Sequence, residues 1–413
     1  MTGLREDADR LIRSAIQAVQ PEEAVRRALA GHTFSGRIRL VAIGKAAWPM
    51  ADAAARELGG RIDRGVVVTK YGHSRGPIRD FEILEAGHPI PDENSRRGAE
   101  AAIRAVAGLT ETDTVLFLIS GGGSALFEKS LIPLPQLQQI TRQLMASGAE
   151  ITEVNTIRKR LSAVKAGRFA RLCAPASLFC VVLSDVLGDR LDMIASGPAC
   201  PDPTTAEDAR RIAEKYALDL PKETMALLEQ ETPKRLERVE TVITGSVSQL
   251  CEAAREAAQQ MGYPVLMLTD SLCCEAREAG AFLAAVARFY RDRGPLAILA
   301  GGETVVHVHG DGLGGRNQEI ALAAAEGIAG LPDVAVFSVG SDGTDGPTDA
   351  AGGYADGDTA QRLRTAGLDP AECLACNDSY HALDRIGGLI RTGPTGTNVN
   401  DLSVVLIRRK LID

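Results

Sequence analysis

The sequence has no long apolar run and no surplus of positive charge. Its longest hydrophobic stretches, such as Val115–Ile119 and Leu296–Ala300, fall far short of the ~20 residues that cross a bilayer. A membrane-spanning helix is therefore not expected. The opening residues MTGLREDADRLIRSA are charged and lack an apolar leader core, so no secretory signal is expected either. With 46 Lys+Arg against 54 Asp+Glu, the formal net charge is −8. Nucleic-acid binders are usually basic, so no nucleic-acid partner is expected. A small anionic substrate can still be met by one basic pocket in an acidic envelope. The eight cysteines are mostly scattered, and the Cys373/Cys376 pair has no second pair at zinc-finger distance. Reduced thiols in a cytoplasmic protein are the expectation, not a metal site. Short-period repeats and low-complexity tracts are absent.

What is present is a soluble globular balance, 45% apolar and 24% charged over 413 residues. At ~100–200 residues per domain, two domains are expected. The recurring unit is a short aliphatic run, a Gly/Ser/Asp loop, then a helical period. Runs of this kind end at Ile43, Ile119, Leu183, Ile243, Leu268, Leu299 and Phe337, with a closing strand at Leu402–Ile407. Ala-rich helical stretches lie between them, as in Ser95–Ala107, Ser246–Met261 and Glu275–Arg291. Continuous apolar strands alternating with helices give an α/β class with a mostly parallel sheet. The Pro- and charge-rich stretch Asp202–Glu240 reads as surface helices leading from residues 1–240 to a smaller second domain, 241–413.

Ligands of open α/β sheets bind beyond the carboxyl ends of the strands, so the chemistry is sought in what each strand runs into. After Ile43 comes Gly44-Lys45-Ala46, which puts a lysine where a phosphate or carboxylate can be met. It is not a Walker A loop, because Arg39 stands at the first glycine position and Ala46 at the hydroxyl position. After Ile119 comes Ser120-Gly121-Gly122-Gly123-Ser124, a bare backbone able to curl its N–H groups around an anion. In Ile151–Arg171, with Asn155 as N-cap, a helical period would align Arg158, Ser162 and Lys165 on one basic face. Arg158 and Lys165 are its members best placed to reach a phosphate together. After Leu183 come Asp185, Asp189 and Asp192. Carboxylates at a strand tip suit Mg²⁺ or a substrate hydroxyl proton, and Asp185 is the strongest of the three.

In the second half, Val305–His309 alternates like a strand and leads into Gly310–Gly315, a formal G-x-G-x-x-G ahead of Arg316-Asn317-Gln318. As a dinucleotide fingerprint the signal is weak, because the alternation suits an edge strand and no ribose-binding acid follows at the right distance. His307 and His309 read as strand-surface residues. Asp342, Asp345 and Asp349 share one loop without EF-hand spacing, and Thr392–Asn398 forms another Gly/Thr loop. The inventory suits phosphoryl transfer or a carboxylate substrate, in a cleft between the domains.

These loops, taken in order, resemble the glycerate 2-kinase family, the two-domain class whose C-terminal module is called MOFRL. The matching stretches are Gly44–Ala46, Ser120–Leu126, Glu153–Gly167, Ser184–Pro198, Gly301–Thr304, Gly314–Glu319, Ser341–Ala350 and Thr392–Leu402, nearly the whole chain. The resemblance implies a Rossmann-like N-terminal domain, a smaller α/β C-terminal domain with a mixed sheet, and phosphorylation of D-glycerate to 2-phosphoglycerate using ATP and Mg²⁺. It implies Lys45 and Arg316 as a cationic active-site pair and Asp185 as the acidic residue. In this reading Ser120, Gly121, Gly122, Gly123, Ser124, Arg158 and Lys165 hold the nucleotide, and Asp189 and Asp192 lie near the metal. Where the family has Lys-Gly-Gly, this chain has Lys165-Ala166-Gly167. NAD(P)H-dependent hydroxypyruvate reduction, leaning on Gly310–Gly315, is the alternative enzyme, and a two-lobed anion-binding module the non-enzymatic one. Whether a homodimer forms is left open.

Overall fold

The computed structural model describes residues 3–408. Pro21–Thr244 folds as one compact unit, and the first helix, Leu4–Ala18, joins the residues from Gly245 onward in the other. The expected α/β class holds in both.

The first unit is built on a sheet ordered β3-β2-β1-β4-β5-β6. Its strands are β1 (Ile38–Ile43), β2 (Ile62–Lys70), β3 (Glu82–Ala86), β4 (Thr114–Ile119), β5 (Ser177–Leu183) and β6 (Val239–Gly245). From β3 to β5 every neighbouring pair is parallel. The apolar runs are continuous because both faces are covered. Val41, Ile43, Val115, Phe117, Ile119, Cys180 and Val182 face one core, where Phe117, Phe127 and Phe169 meet. Leu40, Ala42, Leu116, Leu118, Phe179 and Val181 face the other. Period-two alternation thus persists inside runs with no polar residue to reveal it.

The second unit holds a sheet ordered β11-β10-β9-β12-β8-β7. Its strands are β7 (Val265–Leu272), β8 (Leu296–Gly302), β9 (Val334–Gly340), β10 (Gly352–Asp356), β11 (Leu389–Ile390) and β12 (Asp401–Ile407). Only β7 and β8 pair in parallel, and β12 is antiparallel to both β8 and β9. This is the mixed sheet expected of a smaller second domain.

Three local expectations need correction. Val305–His309 is not a strand: a single bridge joins Val305 to Glu275 and the rest is irregular. Asn155 is not an N-cap, because the helix begins at Ile151, where Glu153 accepts from the Glu150 N–H at 3.0 Å. That helix ends at Arg160, and the next begins at Arg168. Arg158, Ser162 and Lys165 therefore do not share a helix face.

Candidate functional site

In the first unit the tips of β1 and β4 are stitched together. Gly44 adopts φ +111°, and a β-carbon there would lie 2.3 Å from Ser120 Oγ. Only glycine allows this approach. Ser120 Oγ accepts from the Ala46 N–H at 3.0 Å and donates to the Ile43 carbonyl at 3.2 Å, while the Lys45 N–H donates to Gly121 O at 2.8 Å. The Ser120 hydroxyl is buried and holds the two loops in register. Lys45 is thereby fixed beside the glycine turn, with its side chain partly exposed.

The turn itself is lined on both sides. A β-carbon on Gly121 would stand 2.1 Å from Asp185 Oδ2, and one on Gly122 would stand 3.2 Å from Lys45 Cγ and 3.0 Å from His88 Cδ2. Lys45 from β1, the turn from β4 and Asp185 from β5 converge at the carboxyl end of the sheet, where open α/β folds bind ligands. Gly123 packs on Ala195 and leaves no room for a side chain. The Ser124 hydroxyl meets Ser196 Oγ at 2.8 Å, and Ser196 donates to Asn155 Oδ1 at 3.2 Å.

Arg158 and Lys165 reach the loop from behind. Arg158 donates to the Ser124 carbonyl at 3.0 Å, and Lys165 to the same oxygen at 2.8 Å and to Phe127 O at 3.1 Å. Lys165 is fully buried with Glu128 at 3.6 Å. Burial pushes its pKa down to about 8 against the pull of Glu128. Burial lowers the Arg158 pKa too. Two cations on one carbonyl oxygen set the orientation of the Ser124 peptide. Ala166, at φ +54°, keeps the left-handed backbone that glycine would take more easily.

The two aspartates assigned to the metal differ. Asp192 is tied to Lys159 at 3.3 Å and Arg190 at 2.9 Å. Asp189 has a buried Oδ1 with no hydrogen-bond partner. Among the described residues, no group of three or more His, Cys, Asp or Glu side chains forms a metal cage.

In the second unit Arg316 opens the helix Arg316–Gly327. It binds Asp401 in bidentate fashion, Nε at 2.5 Å and a terminal nitrogen at 3.1 Å, and Glu303 at 3.1 Å. Burial opposes its charge, but the hydrogen bond to Asp401 and the charges of Asp401, Glu303 and Asp345 outweigh it and raise its pKa. Asp345 caps the same helix, accepting from the N–H groups of Asn317 at 3.1 Å and Gln318 at 2.8 Å. Asp342 accepts from the Thr344 N–H, and Asp349 binds Tyr380 and Arg391. Each of the three loop carboxylates is thus engaged separately. Thr395 Oγ1 donates to Ser341 O at 2.6 Å, which ties the Gly/Thr loop to the aspartate loop.

The Gly310–Gly315 segment is not a dinucleotide cradle. The residues that lead into it, 303–309, are irregular apart from one bridge, and β-carbons on Gly310 and Gly312 would fall 2.5 and 2.4 Å from Cys376 O. These glycines let backbone pack on backbone, with Asn377 and Asp378 side chains accepting the N–H groups of His309, Gly310 and Leu313.

The sequence alone does not single out Asp401 or His88. Asp401 opens the closing strand after the Gly/Thr loop, and nothing in the sequence shows that it pairs with Arg316. His88 follows β3, whose Glu82-Ile83-Leu84-Glu85-Ala86 lacks a long apolar run, so the sequence does not mark its loop as a strand tip.

A family model described as a domain of unknown function, DUF4147, matches residues 7–229, and the MOFRL family model matches residues 296–401. The D-glycerate 2-kinase of Thermotoga maritima is 52% identical over 411 residues, covering 98% of each chain. The glycerate 2-kinase of Pyrococcus horikoshii is 41% identical, again over 98% of each. The crystal structure of glycerate kinase from Thermotoga maritima superposes with a TM-score of 0.96, covering 98% of this chain and 99% of that one. With both modules matched and full-length relatives at this identity, the chain belongs to the glycerate 2-kinase family.

Proposed function

We propose that this chain transfers the terminal phosphoryl group of ATP, with Mg²⁺, to the 2-hydroxyl of D-glycerate, giving 2-phosphoglycerate. The observation that carries the reading is the meeting of Lys45, a side-chain-free glycine turn and Asp185 at one sheet edge, in a chain whose full-length relatives are named as glycerate 2-kinases. A kinase needs a phosphoryl-donor nucleotide. ATP and Mg²⁺ are the specific forms proposed.

Phosphoryl transfer asks mainly for positioning and charge neutralisation. Lys45 supplies a positive charge for anionic oxygens above the turn. Asp185 orients the attacking hydroxyl and accepts its proton. Arg158 and Lys165 act one step back, holding the Ser124 carbonyl so that the loop keeps its shape. In the second unit, the guanidinium plane of Arg316 is set by Asp401. Mg²⁺, when bound, neutralises phosphate charge. Asp189 fits that ion because one of its oxygens is buried and unpartnered, whereas Asp192 already faces two cations.

The test is ADP release from MgATP with and without D-glycerate, in the wild type, Lys45→Ala and Asp185→Asn. Glycerate-dependent release that falls by about 100-fold or more in each variant is expected. Release that ignores glycerate, or full turnover in both variants, would overturn the reading.

A further inference from the structure

Five neighbouring strands end at one edge of the parallel sheet, and each leads to a polar group or a bare turn. β1 runs into Lys45, β2 ends at Lys70 with His73 close behind, β3 leads to His88, β4 to the glycine turn and β5 to Asp185. The function proposed above uses Lys45, the turn and Asp185, and leaves His88 without a role.

The loop that carries His88 is rigidly held. Ala86, the last residue of β3, is in register with Lys70. The α-carbon of Gly87 packs so closely that a β-carbon would lie 2.7 Å from Ile90 O and 3.0 Å from Asp92 Oδ2. Asp92 in turn caps the helix Glu93–Ala105, accepting from the Ser95 N–H at 3.0 Å and from the Tyr71 hydroxyl at 2.7 Å. The imidazole is thereby set over Gly122, where a β-carbon would be 3.2 Å from its Nε2 and 3.2 Å from Lys45 Cγ. The ring and the lysine stem flank one bare α-carbon, and Asp185 flanks the next.

The surroundings are cationic. Lys45, Lys70 and His73 bear on His88 from the other strand ends, while the carboxylates of Asp92 and Asp185 lie against Gly87 and Gly121. His73 Nδ1 lies 3.1 Å from the Lys45 carbonyl, which further fixes that lysine's backbone. Burial first, then the charges of Lys45, Lys70 and His73, push the pKa of His88 down to about 4. A half-buried neutral imidazole beside two lysines is a poor proton acceptor. It becomes a good partner for an anion, because a negative charge favours the protonated ring against both its burial and the repulsion of the lysines.

We propose that His88, with Lys45, contacts an anionic oxygen held over the Gly121–Gly122 turn, either the carboxylate of the hydroxy acid or a phosphate oxygen. This makes His88 a substrate-contacting residue, and the assignment rests on the phosphoryl-transfer reading above.

The full chain, wild type, His88→Ala and His88→Gln, decides it. The chain has 6 histidines, and the imidazole carbon signal missing from His88→Gln identifies that of His88. Its titration is followed in buffer, with D-glycerate alone, and with inorganic phosphate alone. One of the two anions is expected to raise its midpoint by about one pH unit or more. Steady-state kinetics should then show His88→Ala raising the KM of the substrate carrying that group by about tenfold, with His88→Gln recovering part of the loss. A glycerate response identifies the carboxylate, and a phosphate response identifies the nucleotide side. No shift with either anion, together with unchanged KM values, would overturn the inference. Should His88→Ala fail to fold, the wild-type titration and His88→Gln decide alone. If the His88 signal responds but the wild type forms no ADP with glycerate, the phosphoryl-transfer reading falls and the anion contact stands. Glycerate-dependent ADP without any His88 response removes only the contact.

Discussion

The carboxylate of Asp185 rests against the bare α-carbon of Gly121, so closely that a β-carbon there would stand 2.1 Å from Oδ2. The third glycine residue of the loop, Gly123, is equally confined, by Ala195 at 2.6 Å. The loop after β4 is therefore free of side chains because its neighbours occupy that space. Gly121→Ala should push the Asp185 carboxylate aside. A short side chain can yield, so stability should change by no more than about 1 kcal/mol. Turnover should fall by about 100-fold, the usual effect of displacing a reacting group by an ångström. Thermal melts and kcat on one preparation check this, and normal turnover would show that the position of Asp185 is immaterial.

Arg316 pairs with Asp401, which is only 5% exposed. Arg316→Ala strands that carboxylate. It should cost about 2–3 kcal/mol, below the ~3–5 kcal/mol of a fully buried pair because Arg316 is partly exposed. A loss of activity in this variant therefore cannot be read as catalytic without a stability measurement. Urea titrations of Arg316→Ala, Asp401→Asn and the double variant should be non-additive by about 1 kcal/mol or more. Additive costs would mean that the pair is not coupled.

Ala166 stands at φ +54°, in the left-handed region that favours glycine. A non-glycine residue in that region costs ~1–2 kcal/mol, while glycine's extra unfolded-state freedom returns ~0.5–1 kcal/mol. Ala166→Gly should therefore stabilise the chain by about 0.5 kcal/mol, and Ala166→Val should destabilise it clearly. Urea midpoints measure both, and a destabilised glycine variant would contradict the argument.

Burial pushes the Asp345 carboxyl up to about 6, although the Gln318 and Asn317 N–H groups oppose it. Its ordinary value is 3.8, so between those values the folded state holds the proton more often than the unfolded one. This contribution to stability is full below pH ~4 and is lost as pH rises through about 6. Asp345→Asn should abolish that step in the difference between the two stability–pH curves. Parallel curves across that window would exclude Asp345 as its source.

The loops at Lys45, Ser120–Ser124 and Asp185 were legible because an unbroken aliphatic run fixes where each buried strand stops. β2 and β3 were not, since Ile62–Lys70 carries charges near its start and Glu82–Ala86 is short and broken by Glu85. That is why the sequence does not mark His88. The basic pair was misread for a different reason. Helical periodicity put Arg158 and Lys165 on one face, but the helix ends at Arg160 and Lys165 arrives through an irregular turn. Both still meet at the Ser124 carbonyl, a convergence that depends on tertiary packing. Nothing in the sequence marks Lys165 as buried, because Glu128 and the accepting carbonyls come from another segment.

The most direct test of the account is the identity of the product. D-glycerate and MgATP are incubated with the purified chain, and the phosphorus spectrum is read against authentic standards. The account predicts 2-phosphoglycerate formed in step with ADP. A 3-phosphoglycerate signal would contradict the proposed attack by the 2-hydroxyl, and no phosphorylated glycerate at all would contradict the kinase itself.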